Sequence, residues 1–354
     1  MINLEQISFS EFLPFFVVGG ISWLLLSFLG DIARKIDLVD HPTKRKRHEL
    51  SVPLIGGISI FIAFSLALLL APFGLGEYRY LLFGMGVIVI VGVLDDHQDV
   101  PPFAKIVAQF FASFILVLSG TIVTGVGDIF SWEDGNHQGL GLLASPLTAI
   151  AIVGLINAYN FIDGIDGLAA TLFSCTCVVM VGICSANGLW KDQYFLLLFL
   201  TGVFVFLCFN TSIFVHPSKL VFLGDAGSML LGLVLVFFLI DLSELREDGS
   251  LRTTVAPWLV GLPLFDMFSV IGLRLISQSP VARPDRLHLH HVLEDFGLSK
   301  SKVFAILTVV HLSFMSFGLI GQYMGLKDPV LFWSLFPVIL VYATVVYSIQ
   351  IRDR

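Results

Sequence analysis

The sequence predicts an all-α polytopic membrane protein with about 11 transmembrane helices, and three observations carry that prediction. Hydrophobic residues make up 56% of the 354 residues and charged residues only 13%, against about a quarter charged in a soluble domain. The apolar residues gather into eleven runs of roughly the length, about 20 residues, that a helix needs to cross the hydrocarbon of a bilayer. The Lys and Arg residues then sort mostly to one side of those runs, as the positive-inside rule requires. No soluble domain, internal repeat or low-complexity stretch interrupts the pattern, so residues 1–354 are read as one integral membrane domain.

In order along the chain, the expected spans are 12–29, 54–73, 80–94, 103–124, 142–162, 168–187, 194–215, 227–242, 255–276, 303–323 and 328–350. The third and eighth are short. An odd number places the termini on opposite sides. The loops after odd-numbered spans, with their adjoining helix ends and the C-terminal tail, hold fifteen of the 20 basic residues: Arg34, Lys35, Lys44, Arg45, Lys46, Arg47, Lys105, Lys219, Arg274, Arg283, Arg286, Lys300, Lys302, Arg352 and Arg354. The other face holds Arg79, Lys191, Arg246, Arg252 and Lys327. The odd-loop face is therefore expected in the cytoplasm and the N-terminus outside, with Trp132, Trp190, Trp258 and Trp333 near the outer boundary. The start, Met1-Ile2-Asn3-Leu4-Glu5, has no basic segment and no small-residue cleavage site follows, so it does not read as a cleaved signal peptide. Cys175, Cys177, Cys184 and Cys208 lie inside apolar runs with no C-x-x-C spacing and read as packing residues. The one basic cluster, Lys44 to Arg47, reads as a membrane-surface segment, and nothing points to nucleic acid.

Every polar cluster falls at an odd loop, and so on the face expected in the cytoplasm. After span one come His41, the basic cluster, His48 and then Gly56-Gly57. After span three comes Asp95-Asp96, with Lys105 and Gln109 opening span four. After span five comes Asn157-Ala-Tyr-Asn160-Phe-Ile-Asp163-Gly164-Ile-Asp166-Gly167. Asn210 closes span seven, and Phe222-Leu-Gly224-Asp225-Ala-Gly227-Ser228 follows. Asp266 and Arg274 sit in span nine, ahead of Arg283, Arg286, His288, His290 and His291.

Each cluster has a chemical reading. Residues three apart share a helix face, so Asn160 and Asp163 are expected to converge on one ligand, and Asp163 and Asp166 likewise. The glycines among them allow sharp turns and close backbone approach. Carboxylate and amide oxygens at a membrane boundary suit a hard cation and a phosphate. Adjacent carboxylates such as Asp95 and Asp96 repel unless a cation or base lies near. That pair suggests a general base, a metal-bound water or a partner for Lys105. Asp225 among small residues suits Mg²⁺, which takes one or two carboxylates and leaves other positions to substrate phosphates. His288 and His290, alternating on an extended loop, would point the same way and could hold zinc. With Arg274, Arg283 and Arg286 nearby, they read better as donors to a diphosphate. Apolar spans beside such a site leave room for a lipid chain, so the clusters together describe a lipid phosphotransferase.

These motifs, in this order, resemble the polyprenyl-phosphate N-acetylhexosamine-1-phosphate transferase family. The resemblance runs from about residue 30 to 300 and is carried by Asp95-Asp96, Asn157-x-x-Asn160-x-x-Asp163-Gly-x-Asp166-Gly, Gly224-Asp225-x-Gly-Ser228 and His288-x-His290-His291. Arg45-Lys-Arg-His48, Pro53-x-x-Gly56-Gly57 and Pro284-Asp285-Arg286 look most like its bacterial members that transfer N-acetylglucosamine 1-phosphate to undecaprenyl phosphate. The resemblance implies a multi-pass enzyme of the bacterial inner membrane, with Mg²⁺ or Mn²⁺. It would join UDP-N-acetylglucosamine to undecaprenyl phosphate and release UMP, beginning a lipid-linked glycan such as O-antigen or enterobacterial common antigen. It implies that Asp225 and Asn160 hold the metal. Asp95, Asp96, Lys105 and Asp163 would be catalytic. Asp166, Asn210 and Phe222 would hold the uridine end, and His48, Arg274, Arg286, His288, His290 and His291 would bind the rest of the substrate. Expected partners are the nucleotide sugar, the polyprenyl phosphate and the bilayer, with a homodimer left open.

Two departures matter. Ser279-Pro-Val-Ala-Arg-Pro-Asp285 differs from the family's Ser-Pro-Phe-x-Pro-Asp, which leaves the choice of UDP-N-acetylhexosamine open. Val52-Pro-Leu-Ile-Gly-Gly57 replaces the Thr-Pro-Thr-Met-Gly-Gly of the muramoyl-pentapeptide transferases and argues against a peptidoglycan precursor. An anion transporter is the rival from another class, but transporters place ionisable residues near mid-membrane, and Asp266 alone does so convincingly here. The Asp-Gly-x-x-Ala-Arg signature of CDP-alcohol phosphotransferases is absent, since Gly-Leu-Ala-Ala follows Asp166.

Overall fold

The computed structural model describes residues 9–41, 51–76, 78–130, 139–211, 215–216, 219–244, 251–278, 280 and 286–352. Across them the chain is mostly helical. In order run α1 (Phe9–Lys35), a short antiparallel pair β1 (Val39–Asp40) and β2 (Val52–Pro53), α2 (Gly56–Leu68), α3 (Tyr78–Gln98), α4 (Pro102–Leu118), α5 (Ala144–Ile162), α6 (Leu168–Ala186) and α7 (Trp190–Asn210). Then come α8 (Gly224–Glu244), α9 (Ala256–Leu259), α10 (Gly261–Ile276), α11 (Leu289–Asp295), α12 (Lys300–Tyr323), α13 (Asp328–Trp333) and α14 (Leu335–Arg352). Among the described residues, eight helical stretches are long and apolar enough to cross a membrane. The protein is a helical, polytopic membrane protein.

The other three expected spans fold as shorter helices. Residues 54–73 yield α2, 103–124 yield α4, and 255–276 divide into α9 and α10. The division has a local cause. Pro263 has no N–H to give the carbonyl of Leu259 four residues back. That carbonyl accepts instead from the Thr176 hydroxyl at 2.8 Å, and the same hydroxyl lies 3.1 Å from His311 Nε2. Side chains thus satisfy the backbone group that the proline frees, as an apolar interior demands.

The two runs that looked short prove longer. α3 continues through Asp95-Asp96-His97-Gln98, and α8 begins at Gly224, giving 21 residues each. The polar ends are helical, so Asp95 and Asp96 stand on the last turn of α3 and Asp225 on the first turn of α8. Hydropathy alone hides this, because it reads the polar turn of a helix as loop.

The chain divides into two compact units, residues 1–115 with 177–230 and residues 116–176 with 231–354; the divisions fall within α4, α6 and α8. In the first unit α2 packs on α1, α3 and α7. Phe64 of α2 lies edge-on to Phe195 and Phe199 of α7, with ring centroids 4.6 and 5.1 Å away. On α4 the large apolar residues Phe103, Val107, Phe110, Phe111 and Phe114 are exposed while Gln109, Ala112 and Ser113 are buried. That is the reverse of a helix packed in water and suits a face turned to lipid. In the second unit α10 packs between α5 and α14. Trp258 and Phe265 anchor its core, with Phe314 4.9 Å from the Phe265 ring.

Candidate functional site

The predicted site residues fall into both units. In the first unit, the stretch before α8 is drawn along the start of α2. Phe222 N donates to the Pro53 carbonyl at 2.9 Å, while Gly56 N and Gly57 N donate to the carbonyls of Phe222 and Leu223, each at 3.0 Å. The first turn of α8 is then pressed against two helices at glycines. A Cβ on Gly57 would stand 2.2 Å from Gly227 N, and one on Gly92 of α3 would stand 2.2 Å from the Ala226 Cα. Only residues without a side chain permit that approach. The double glycine at 56–57 therefore serves this packing, a role that sequence spacing did not reveal.

That packing brings the end of α3 to the start of α8. Asp96 Oδ1 accepts from Asp225 N at 2.8 Å and Oδ2 from Ala226 N at 3.3 Å. Asp96 thus caps the N-terminus of α8, satisfying donors that a helix leaves open there. Gly224 takes φ +73, and a Cβ on it would lie 2.5 Å from Asp96 Oδ2, so this position needs glycine twice over. Asp95 meets the Asp225 side chain and also reaches toward α4. Its Oδ1 accepts from Val100 N at 2.8 Å and its Oδ2 from Lys105 Nζ at 2.7 Å. Lys105, early in α4, also reaches Asp225 Oδ2 at 3.5 Å. Asp95 is almost buried, whereas the Asp225 side chain keeps 35% of its surface. The adjacent pair diverges: all four carboxylate oxygens hold backbone or Lys105. Asp225, a carboxylate at a helix start with the Lys105 ammonium beside it, is more exposed than Asp95.

Asn210 closes α7 and is buried; its Nδ2 donates to the Val221 carbonyl at 2.8 Å. Its Oδ1 is buried with no hydrogen-bond partner among the described residues. Phe222 follows on the segment that lies along β2. His48 lies outside the described residues, as do the Lys44–Arg47 cluster, Arg283, Pro284 and Asp285.

In the second unit, α5 ends at Ile162, so Asn157 and Asn160 share its last turns while Asp163 and Asp166 lie in the connection to α6. The expected helical face thus stops at Asn160. Asp163 departs from helical angles, and Gly167 takes φ +75. Gly164 packs against a ring: a Cβ there would stand 2.0 Å from His290 Nε2. The histidine loop is also partly helical, since α11 begins at Leu289 with His288 extended before it. The rings of His288 and His290 are nearly parallel, 14° apart with centroids separated by 5.9 Å. Among the described residues no three His, Cys, Asp or Glu side chains gather as a metal site.

The histidines have different surroundings. His288 Nδ1 lies 2.6 Å from Asp266 Oδ2, and Leu289 N and the Tyr342 hydroxyl both donate to Asp266 Oδ1 at 2.9 Å. His290 is buried, and neither of its ring nitrogens has a partner among the described residues. Burial, with His291 beside it, pulls the His290 imidazole down to about 3. Arg286 is forked onto Asp295 through Nε at 3.0 Å and Nη2 at 2.7 Å, a pairing that raises its pKa further. Arg274 is buried on the last turn of α10. Sequence reasoning grouped Asp266 with this cluster but gave it no role, and it gave no sign of Tyr342. The signal for Asp266 was its position, since a carboxylate within an apolar helix is costly unless partnered.

A pH dependence follows from His290. An imidazole held neutral when folded, with its pKa below the unfolded value of about 6.5, adds stability above that pH and loses it as the pH falls toward 3. Thermal midpoints of the detergent-solubilised protein should fall as the pH is lowered from 6.5 to 5. In His290→Gln the slope over that window should be shallower; an equal slope would remove His290 as its source.

Residues 78–243 match glycosyl transferase family 4. The chain is 32% identical over 340 residues to an undecaprenyl-phosphate alpha-N-acetylglucosaminyl 1-phosphate transferase of Haemophilus influenzae, covering 95% of this chain and 93% of that one. It is 30% identical over 307 residues to the protein of the same name in Escherichia coli K12, covering 85% and 81%. With the Yersinia pestis protein of that name the identity is 30% over 294 residues, covering 82% and 79%. With these relatives matched along most of their length, the chain belongs to glycosyl transferase family 4 and is a membrane enzyme of the sugar-1-phosphate transferase type.

Proposed function

We propose that the protein transfers N-acetylglucosamine 1-phosphate from UDP-N-acetylglucosamine to undecaprenyl phosphate, releasing UMP, at the cytoplasmic face of a bacterial inner membrane. On this reading eleven helical segments cross or enter the bilayer, with the N-terminus outside. The product begins a lipid-linked glycan of the O-antigen or enterobacterial common antigen kind. The observation that carries the reading is the arrangement of Lys105 between Asp95 and the more open Asp225 at the start of α8. The Lys105 ammonium attracts phosphate, while the Asp225 carboxylate takes a cation that phosphate shares.

The donors fit Mg²⁺ or Mn²⁺ bound in that manner. Both are hard ions that accept one or two carboxylates, amide oxygens and substrate phosphates; Asp225 would hold the ion, and the family resemblance adds Asn160 to it as an expectation. When bound it would neutralise charge on the diphosphate. The chain's own residues do the rest: Lys105 draws the phosphate, and Asp95 and Asp96 fix Lys105 and the α8 turn. A lipid phosphate with a second pKa of about 6 is mostly dianionic at neutral pH, so positioning matters more here than proton removal. Asn210 Oδ1, a buried acceptor without a partner among the described residues, suits an N–H of the uracil ring. The buried Arg274 and the histidines supply donors for the diphosphate and sugar, with Asp163 and Asp166 beside them in the chain connection.

The test is transfer of radiolabel by purified enzyme from a panel of UDP-sugars to undecaprenyl phosphate, with and without EDTA. Label should enter the lipid phase from UDP-N-acetylglucosamine and stop on chelation. Transfer from a different UDP-N-acetylhexosamine alone would replace the donor, and transfer unaffected by EDTA would remove the metal.

A further inference from the structure

We propose that Asp266 and Tyr342 are positioning residues that fix the tautomer and orientation of His288, so that its Nε2 is the nitrogen offered to the substrate. The inference rests on the reading of His288 as a substrate-binding residue and adds two residues that reading does not contain. Tyr342 lies in α14, beyond both the motifs of the sequence and the matched segment 78–243.

The geometry points one way. Asp266 Oδ1 already receives two donors, Leu289 N and the Tyr342 hydroxyl, each at 2.9 Å. Oδ2 is left to His288 Nδ1 at 2.6 Å, a length typical of a charge-assisted bond. A carboxylate accepts, so the proton belongs on Nδ1, and Nε2 is the nitrogen left to bind anything else. Asp266 and Tyr342 are buried, at 1% and 8% of their surface, and so is His288 at 7%. Within an apolar helix pair an isolated carboxylate would be costly, and here three donors from α14, α11 and the residue before α11 offset that cost. The Phe161 ring, 5.4 Å from that of His288, and the nearly parallel His290 ring lie beside the imidazole. The ring is thus oriented by contacts as well as by the carboxylate.

A simpler account is that Asp266 merely caps α11 through Leu289 N. The two accounts separate in a double-mutant cycle on transfer activity. If Asp266 acts through His288, Asp266→Asn and His288→Ala each lower kcat/KM by about tenfold to a hundredfold, the usual effect of losing a group that orients a histidine. The double variant is then no worse than His288→Ala. Tyr342→Phe should lower activity by a few fold in the native background and by nothing beside His288→Ala. Multiplying effects overturn the proposal in favour of the capping account. A second measurement does not depend on the reaction: ¹⁵N chemical shifts of the histidine rings, assigned with His288→Gln. They should place the His288 proton on Nδ1 in the native protein and move it to Nε2 in Asp266→Asn, where the amide can donate to Nδ1. A native His288 protonated only on Nε2 overturns the proposal. Absence of transfer by the native enzyme from every UDP-sugar would instead strike the proposed function, and the shifts would still decide the tautomer.

Discussion

Asp225→Ala should lose transfer activity by about a thousandfold or more while leaving the fold intact. Losses of that order follow removal of a group that stabilises charge on a transferring phosphoryl group or carries its metal. The Asp225 side chain keeps 35% of its surface against 8% for Asp95, and its backbone N–H rather than its side chain is what Asp96 holds. Its removal should therefore change the thermal midpoint little, within the range of substitutions away from a packed core. The measurement is label transferred to the lipid phase beside a thermal melt in detergent. Retention of more than about a tenth of the native rate would displace Asp225 from the centre of the site. Its neighbours should behave differently. Asp96→Ala removes the α8 cap and should lower both activity and melting point, while Asp96→Asn keeps one acceptor and loses less. Asp95→Asn should stay impaired at pH 9, because no proton on the acceptor phosphate awaits removal. Recovery at high pH would restore Asp95 as a base.

What the sequence made legible was what depends on local composition. Hydropathy placed helices in all eleven stretches, and the order of the polar motifs pointed to the family. Its limits have physical causes. A polar helical turn scores like a loop, so Asp95, Asp96 and Asp225 were assigned to connections although α3 and α8 carry them. The break between α9 and α10 was foreshadowed by Pro263, yet the partner that makes it tolerable, Thr176, lies far away in the chain. The adjacency of Asp95 and Asp96 suggested one shared function. On a helix, consecutive residues point about 100° apart, and the two carboxylates serve different helices. His290 against Gly164 and Tyr342 on Asp266 are pairings of distant segments, and no periodicity encodes them.

The second large effect concerns a residue with no chemistry. Gly92→Ala should destabilise the protein by more than about 3 kcal/mol, the upper end of the usual cost of overpacking. The added methyl would meet the backbone of Ala226 rather than the end of a flexible side chain. Its Cβ would stand 2.2 Å from the Ala226 Cα and 2.4 Å from its N, well inside van der Waals contact. Relief requires α3 to part from the first turn of α8. That separation would draw Asp96 off the amides of Asp225 and Ala226, so activity should fall with stability. Gly86→Ala on the same helix is the control: its Cβ would find its nearest neighbour, the Phe61 ring, at an ordinary 3.5 Å. Alanine there should be tolerated or slightly stabilising, since glycine within a helix costs about 1 kcal/mol relative to alanine. Equal melting points for the two variants would mean that α3 and α8 do not approach as closely as the glycines imply. The capping of α8 by Asp96, and the placement of Asp225 with it, would then need another cause.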